Sequence, residues 1–141
     1  MDIDYKKLVD VVEKAKFQSY ERLSYSGVDF LLFPGEHTKR DEEDGNPPIF
    51  CNPSSMADWD IYFGMNVVPE DFRRPCLLHE ILEMSSFDKI KQTPNLTWEE
   101  ALRQAHDIAR EYDDRYARET LSEPRYTEYT KLRPRLLNGH S

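Results

Sequence analysis

Cysteine is nearly absent from this chain: Cys51 and Cys76 are the only two, and neither belongs to a C-x-x-C pair. At most one disulfide is open to it, and Cys76, inside an apolar helical run, reads as a small core residue instead. Long apolar runs are missing too, and none approaches the ~20 residues that a membrane span needs. The opening residues, Met-Asp-Ile-Asp-Tyr-Lys-Lys, are charged and amphipathic and hold no signal-peptide core. The expectation is a reducing, cytoplasmic location with no membrane partner. Positive charge is in deficit, with 19 Lys and Arg against 27 Asp and Glu and a net charge of −8. Such a surface repels phosphate backbones, so no nucleic-acid partner is expected. Internal repeats, low-complexity tracts and linkers are also lacking, and the 141 residues read as a single domain.

What the chain does have is aromatic bulk. Seven Phe, eight Tyr and two Trp are enough to build a core, although 33% of residues are charged. Apolar residues at helical intervals from Ile3 to Tyr20 predict an amphipathic helix over residues 3–23. Val28–Phe33 predicts a strand halted by Pro34-Gly35, and Ile49–Cys51 a short strand. Residues 34–48 read as a solvated acidic loop, either functional or mobile by its length, and residues 36–44 within it are predicted to be mobile and removable at little cost in stability. Between Asp60 and Val68, Ile61, Phe63, Met65 and Val67 alternate with their neighbours as in a strand. Pro69 with Glu70 and Asp71 marks the start of a helix to about Lys89. Thr97-Trp98-Glu99-Glu100 is a capping box opening another helix to about Glu119. Residues 122–137 offer a last short helix, but Pro124 and Pro134 weaken it and make residues 120–141 read as a weakly structured C-terminal segment. The sum is an α+β fold: an N-terminal helix, a small, mainly antiparallel sheet of about three strands, and two or three C-terminal helices.

The chemistry concentrates in Cys76–Met84, Cys-Leu-Leu-His-Glu-Ile-Leu-Glu-Met. His79 and Glu83 stand one helical turn apart on one side, the spacing that aims an imidazole and a carboxylate at one point. Leu77, Leu78, Ile81, Leu82 and Met84 form a broad apolar arc opposite them, with Cys76 and Phe87 on the flank. The remaining polar stripe is narrow, which suits a cleft; the plain alternative is the wet face of an amphipathic helix. The spacing H-E-x-x-E arises by accident in on the order of one or two per cent of chains this long, so it identifies nothing alone.

The next helix adds weight. Trp98, Ala101, Leu102, Ala105, Ile108, Ala109, Tyr112 and Tyr116 are its expected buried face, and the alanines permit close approach of a partner helix. His106 borders that face, with Asp113 on the same side. If the two helices pair as a hairpin, His79, Glu83 and His106 converge, with Asp113 as fourth ligand or orienter. That donor set suits zinc or another divalent ion. The competing account makes His106 an ordinary border histidine bonded to Asp113 or Glu83. His37 and His140 read as bystanders, and Tyr62 and Tyr116 as core aromatics.

The stretch His79-Glu80-Ile81-Leu82-Glu83 resembles the active-site helix of zincin metalloproteases. The resemblance implies that His79 binds the metal and that Glu80 is the general base of a minimal zincin-like hydrolase acting on a small-molecule or peptide substrate. It also implies that the preceding strand, 60–68, is an edge lining the substrate cleft. Glu83 departs from the family, which has histidine at that position. The wider pattern, continuing as Glu-Ala-x-x-x-Ala-His-x-x-Ala-x-x-x-Asp, is similar to small prokaryotic proteins and brings no activity with it. A non-catalytic acidic interaction protein of the immunity, adaptor or antitoxin kind is the alternative. In that case the same residues form a structural polar network and the acidic loop meets a basic protein partner.

Overall fold

Asp4 opens the first helix, its carboxylate accepting from the Lys7 amide at 3.1 Å. In the computed structural model, which describes residues 2–137, this helix, α1, covers only Tyr5–Lys14. His140 lies outside the described residues. The expected helix over 3–23 stops early because Phe17 takes a φ of 54° and the Glu21 carboxylate accepts from the Lys16 amide. A left-handed residue cannot continue a right-handed helix.

Residues 21–25 then form a strand whose first three residues the helical reading had absorbed. β1 (Glu21–Tyr25) pairs antiparallel with β2 (Val28–Gly35), from Glu21 opposite Leu32 to Tyr25 opposite Val28. Ser26 and Gly27 join them with φ of 55° and 79°, the two positive values of a tight hairpin turn. Beyond β2, Thr38 and Asp41 form a reciprocal capping box around a short helix, α2 (Lys39–Glu43), none of whose residues is buried. The expected acidic loop thus contains a helix, and its neck is pinned. Asn66 bonds both the amide and the carbonyl of His37, and the Gly64 amide donates to Pro48. Gly64 has to be glycine, since a Cβ there would sit 2.8 Å from His37 Cβ.

β3 (Ile49–Pro53) and β4 (Trp59–Gly64) complete a sheet of order β1-β2-β4-β3. The β2–β4 pair is parallel and the other two are antiparallel. The sheet therefore has four strands where about three were expected. β4 ends at Gly64, short of Val68, and it is interior; β1 and β3 are the edges. The expected strand-before-helix edge is not found.

A 3-10 turn over Glu70–Phe72 leads into α3 (Arg73–Ile90), followed by α4 (Trp98–Thr120) and α5 (Glu123–Leu137). The fold is α+β. α3 packs along α4 and also meets α1, β3 and α5, so its whole middle, Pro75 to Phe87, is buried. Its Leu77, Leu78, Ile81 and Leu82 join Phe30, Leu32, Ile61 and Phe63 from one face of the sheet. Each such side chain contributes about 1.5–3 kcal/mol on burial. α4 meets α3 through an i, i+4 stripe, Ala101, Ala105, Ala109 and Asp113, which rotates Trp98 and Leu102 outward to 68% and 40% exposure. Those two depart from the expected buried face. No helix among the described residues is long and apolar enough to cross a membrane.

Candidate metal centre

α3 is the reason the polar stripe cannot be a wet face. His79 is 0% exposed, and Glu80 and Glu83 are buried beside it. Because α4 crosses at alanines, its backbone comes close enough for His106 to reach the same point. His106 Nδ1 lies 3.1 Å from Glu83 Oε2, and His79 Nε2 lies 3.9 Å from Glu83 Oε1. The two imidazoles meet edge to face with centroids 5.1 Å apart. One nitrogen from each histidine and one Glu83 oxygen all fall within 4.8 Å of one another. Atoms sharing one zinc ion stand ~3–4 Å apart, so the three side chains need to draw in by only about 1 Å.

Asp113 is not in that triad. Its Oδ2 accepts from His79 Nδ1 at 2.5 Å, behind the imidazole. A carboxylate beside two cationic arginines is an acceptor, which assigns the imidazole proton to Nδ1 and turns the lone pair of Nε2 toward Glu83 and His106. Nε2 is buried and has no hydrogen-bond partner. Six other buried side-chain atoms among the described residues share that state, His37 Nδ1 included; His79 Nε2 is set apart by facing both Glu83 and His106. Of the roles expected for Asp113, its position fits the orienter.

Asp113 is itself held by α5. Tyr129 Oη donates to Oδ1 at 3.1 Å and Arg133 Nη1 donates to the same oxygen at 2.8 Å. Arg110 stands 3.6 Å from Oδ2. Tyr129 is fully buried, and burial pushes its hydroxyl well above the usual range, which keeps it a donor. The supposedly weak C-terminal segment is thus the helix that steadies the site. Its prolines were misleading: Pro124 sits in the first turn behind Ser122, which accepts the Tyr126 amide on its carbonyl, and Pro134 falls in the last turn.

Glu80 is not one of the three converging side chains, and it bonds β3. Its Oε2 accepts from Cys51 Sγ at 2.9 Å. Burial first, and the charge of Glu83 second, push the Glu80 carboxyl well above the ordinary range. Burial and the neighbouring acids push the Cys51 thiol up as well, so it serves as a neutral donor. Both cysteines are free. Glu80, Glu83 and His106 open into a cleft of about 530 Å³ whose walls include β3 and α4. His37 is remote from it, in α2's neck. Tyr62 stacks between Phe33 and Phe50 on the opposite sheet face, and Tyr116 lies near Glu13.

Cys51, Tyr129 and Arg133 were not singled out from sequence. The i, i+4 spacing of Tyr129 and Arg133 is the one sequence signal that could have placed them on one helix face. Compared with known proteins, the chain matches no family model, no curated sequence and no solved structure.

Proposed function

We propose that the protein is a metal-dependent hydrolase, with a divalent cation held by His79, Glu83 and His106. The observation that carries this reading is the buried, unpartnered Nε2 of His79, aimed at a carboxylate and a second imidazole while Asp113 fixes the ring from behind. Nitrogen and oxygen donors in this mixture suit zinc or a similar borderline ion. A cation there supplies Lewis acidity, polarising a substrate carbonyl or phosphoryl oxygen.

The residues divide the remaining work. Glu80 lines the cleft beside the triad and its apolar surroundings raise its proton affinity, as a general base requires. In hydrolysis of an amide, it takes a proton from water as the water oxygen bonds to the carbonyl carbon. It then passes that proton to the leaving nitrogen as the C–N bond breaks. Cys51, donating to Glu80, holds the carboxyl in place between turnovers.

The second reading is a structural network in an acidic interaction protein. It is favoured by the Glu83–His106 bond, which satisfies both groups with no ion, and by the exposed acidic α2. Glu80→Gln separates the two. The hydrolase reading predicts unchanged zinc binding and melting temperature, with turnover of a peptide and phosphoester panel lost. The structural reading predicts lower melting temperature and no turnover by either protein.

A further inference from the structure

The cleft beside the triad is mostly acidic or apolar, with one exception. Glu80, Glu83 and Glu99 line it, and Met84, Leu102 and Leu137 supply its apolar wall; Arg103 is the single lysine or arginine among its lining residues. Arg103 lies on α4 one turn before His106, which puts the two Cβ atoms ~5–6 Å apart on one helix face. Carboxylates stand at pairing distance along the helix on both sides of it, Glu99 and Glu100 before and Asp107 after. None of them comes within ion-pair distance of Arg103, whereas Arg110, Arg115 and Arg118 on the same helix all have acidic partners. Among the described residues Arg103 has no ion-pair or side-chain hydrogen-bond partner, and it faces a cleft. Glu100 is taken by the cap, where Thr97 bonds its carboxylate and its amide.

We propose that Arg103 is the anion-recognition residue of this cleft, and that the substrate class is a small N-acyl amino acid or short peptide with a free carboxylate. The inference rests on the hydrolase reading for the bond that is cut, but not for the binding itself. A guanidinium offers two parallel donors matched to a carboxylate. A single guanidinium balances one negative charge, and a phosphate dianion in the same cleft meets Glu83 and Glu99 as well. The apolar wall takes the acyl group or side chain. A volume of about 530 Å³ falls within the range for small-molecule sites, and Asn46 and Asn52 among its lining residues bring amide donors and acceptors suited to a substrate amide.

The test is equilibrium binding of N-acetylphenylalanine and of its primary amide by calorimetry, to wild type and Arg103→Met, each with and without zinc. Arg103 is exposed, so the variant folds, and its melting curve checks this. The proposal predicts that the acid binds about ten-fold tighter than the amide in wild type, with or without zinc, a difference of about 1.4 kcal/mol. The preference should vanish in Arg103→Met. Equal binding of acid and amide, or no binding of either, overturns the proposal. So does a preference that survives in Arg103→Met, which would place the carboxylate on the metal. Hydrolysis of N-acetylphenylalanine is followed separately. Arg103-dependent binding with no hydrolysis would sink the hydrolase reading and leave the anion site standing.

Discussion

Two histidine–carboxylate pairs in this molecule share one spacing and one distance. His79 and Glu83 are four residues apart with 3.9 Å between nitrogen and oxygen, and so are His37 and Asp41. In each pair the histidine has a buried ring nitrogen without a hydrogen-bond partner. Their surroundings differ completely. His79 and Glu83 sit mid-helix in α3, with His106 arriving from α4 and Asp113 bracing the ring. His37 precedes a five-residue helix, and Asp41 is committed to capping it through Thr38. No third ligand approaches the second pair among the described residues. Spacing alone is common to both pairs; convergence from a second element is what sets the first apart.

The largest expected effect comes from breaking the convergent pair. His79→Ala or His106→Ala should weaken zinc binding by more than about a hundred-fold, beyond the 10–100-fold typical of losing an outer partner. His37→Ala should leave it unchanged. Competition with a chelating dye measures all three, and equal losses would erase the distinction between the pairs.

Next comes the brace. Arg133→Met leaves Asp113 buried without its best cation, which should destabilise the fold by about 3–5 kcal/mol and weaken zinc binding by roughly ten-fold or more. Tyr129→Phe, which removes one hydroxyl, should cost about 1 kcal/mol. Urea unfolding and zinc titration read the two effects separately. Loss of stability with unaltered metal affinity would make α5 a purely structural helix.

How much of this was legible in the sequence follows the reach of the interactions. His79, Glu83 and His106 could be proposed together because helical periodicity and the Thr97 capping box are local signals. β1 could not, since Glu21–Tyr25 continues the helical pattern and becomes a strand only against β2, around the Ser26-Gly27 turn. Tyr129 and Arg133 meet Asp113 across 16 and 20 residues, and Cys51 meets Glu80 across 29. No window of sequence contains either contact. The helix inside the acidic loop was not foreseen because five residues with none buried leave no periodic trace, and the loop's anchors, Gly64 and Asn66, lie at and just beyond the end of β4.

Smaller effects belong to the second pair and to the outer attachment of α5. Thr38→Ala removes α2's cap and should cost about 1 kcal/mol, with zinc affinity untouched. A larger loss would show that the pinned neck, not the cap, holds α2. The smallest effect is pH-linked. Two hydrogen bonds from Arg125, at 2.8 and 2.9 Å, hold the Asp71 carboxyl below its usual range. A depressed acid contributes stability above its unfolded pKa, about 3.9, and loses it as pH falls through the lower folded value. Both side chains are half-exposed, so the pair is worth less than about 1 kcal/mol. Arg125→Met should therefore differ slightly from wild type at pH 6, and the gap should close below about pH 4. A gap that widens in acid would reverse the assignment.

The central claim is that the triad on α3 and α4 holds a metal. Elemental analysis of protein purified without a metal-affinity tag, with His106→Ala and His37→Ala prepared alongside, tests it most directly. The account predicts about one equivalent of zinc or a similar divalent ion per chain in wild type and in His37→Ala, and next to none in His106→Ala. A wild type without metal that also takes up none on titration, or a metal retained by His106→Ala, would contradict it.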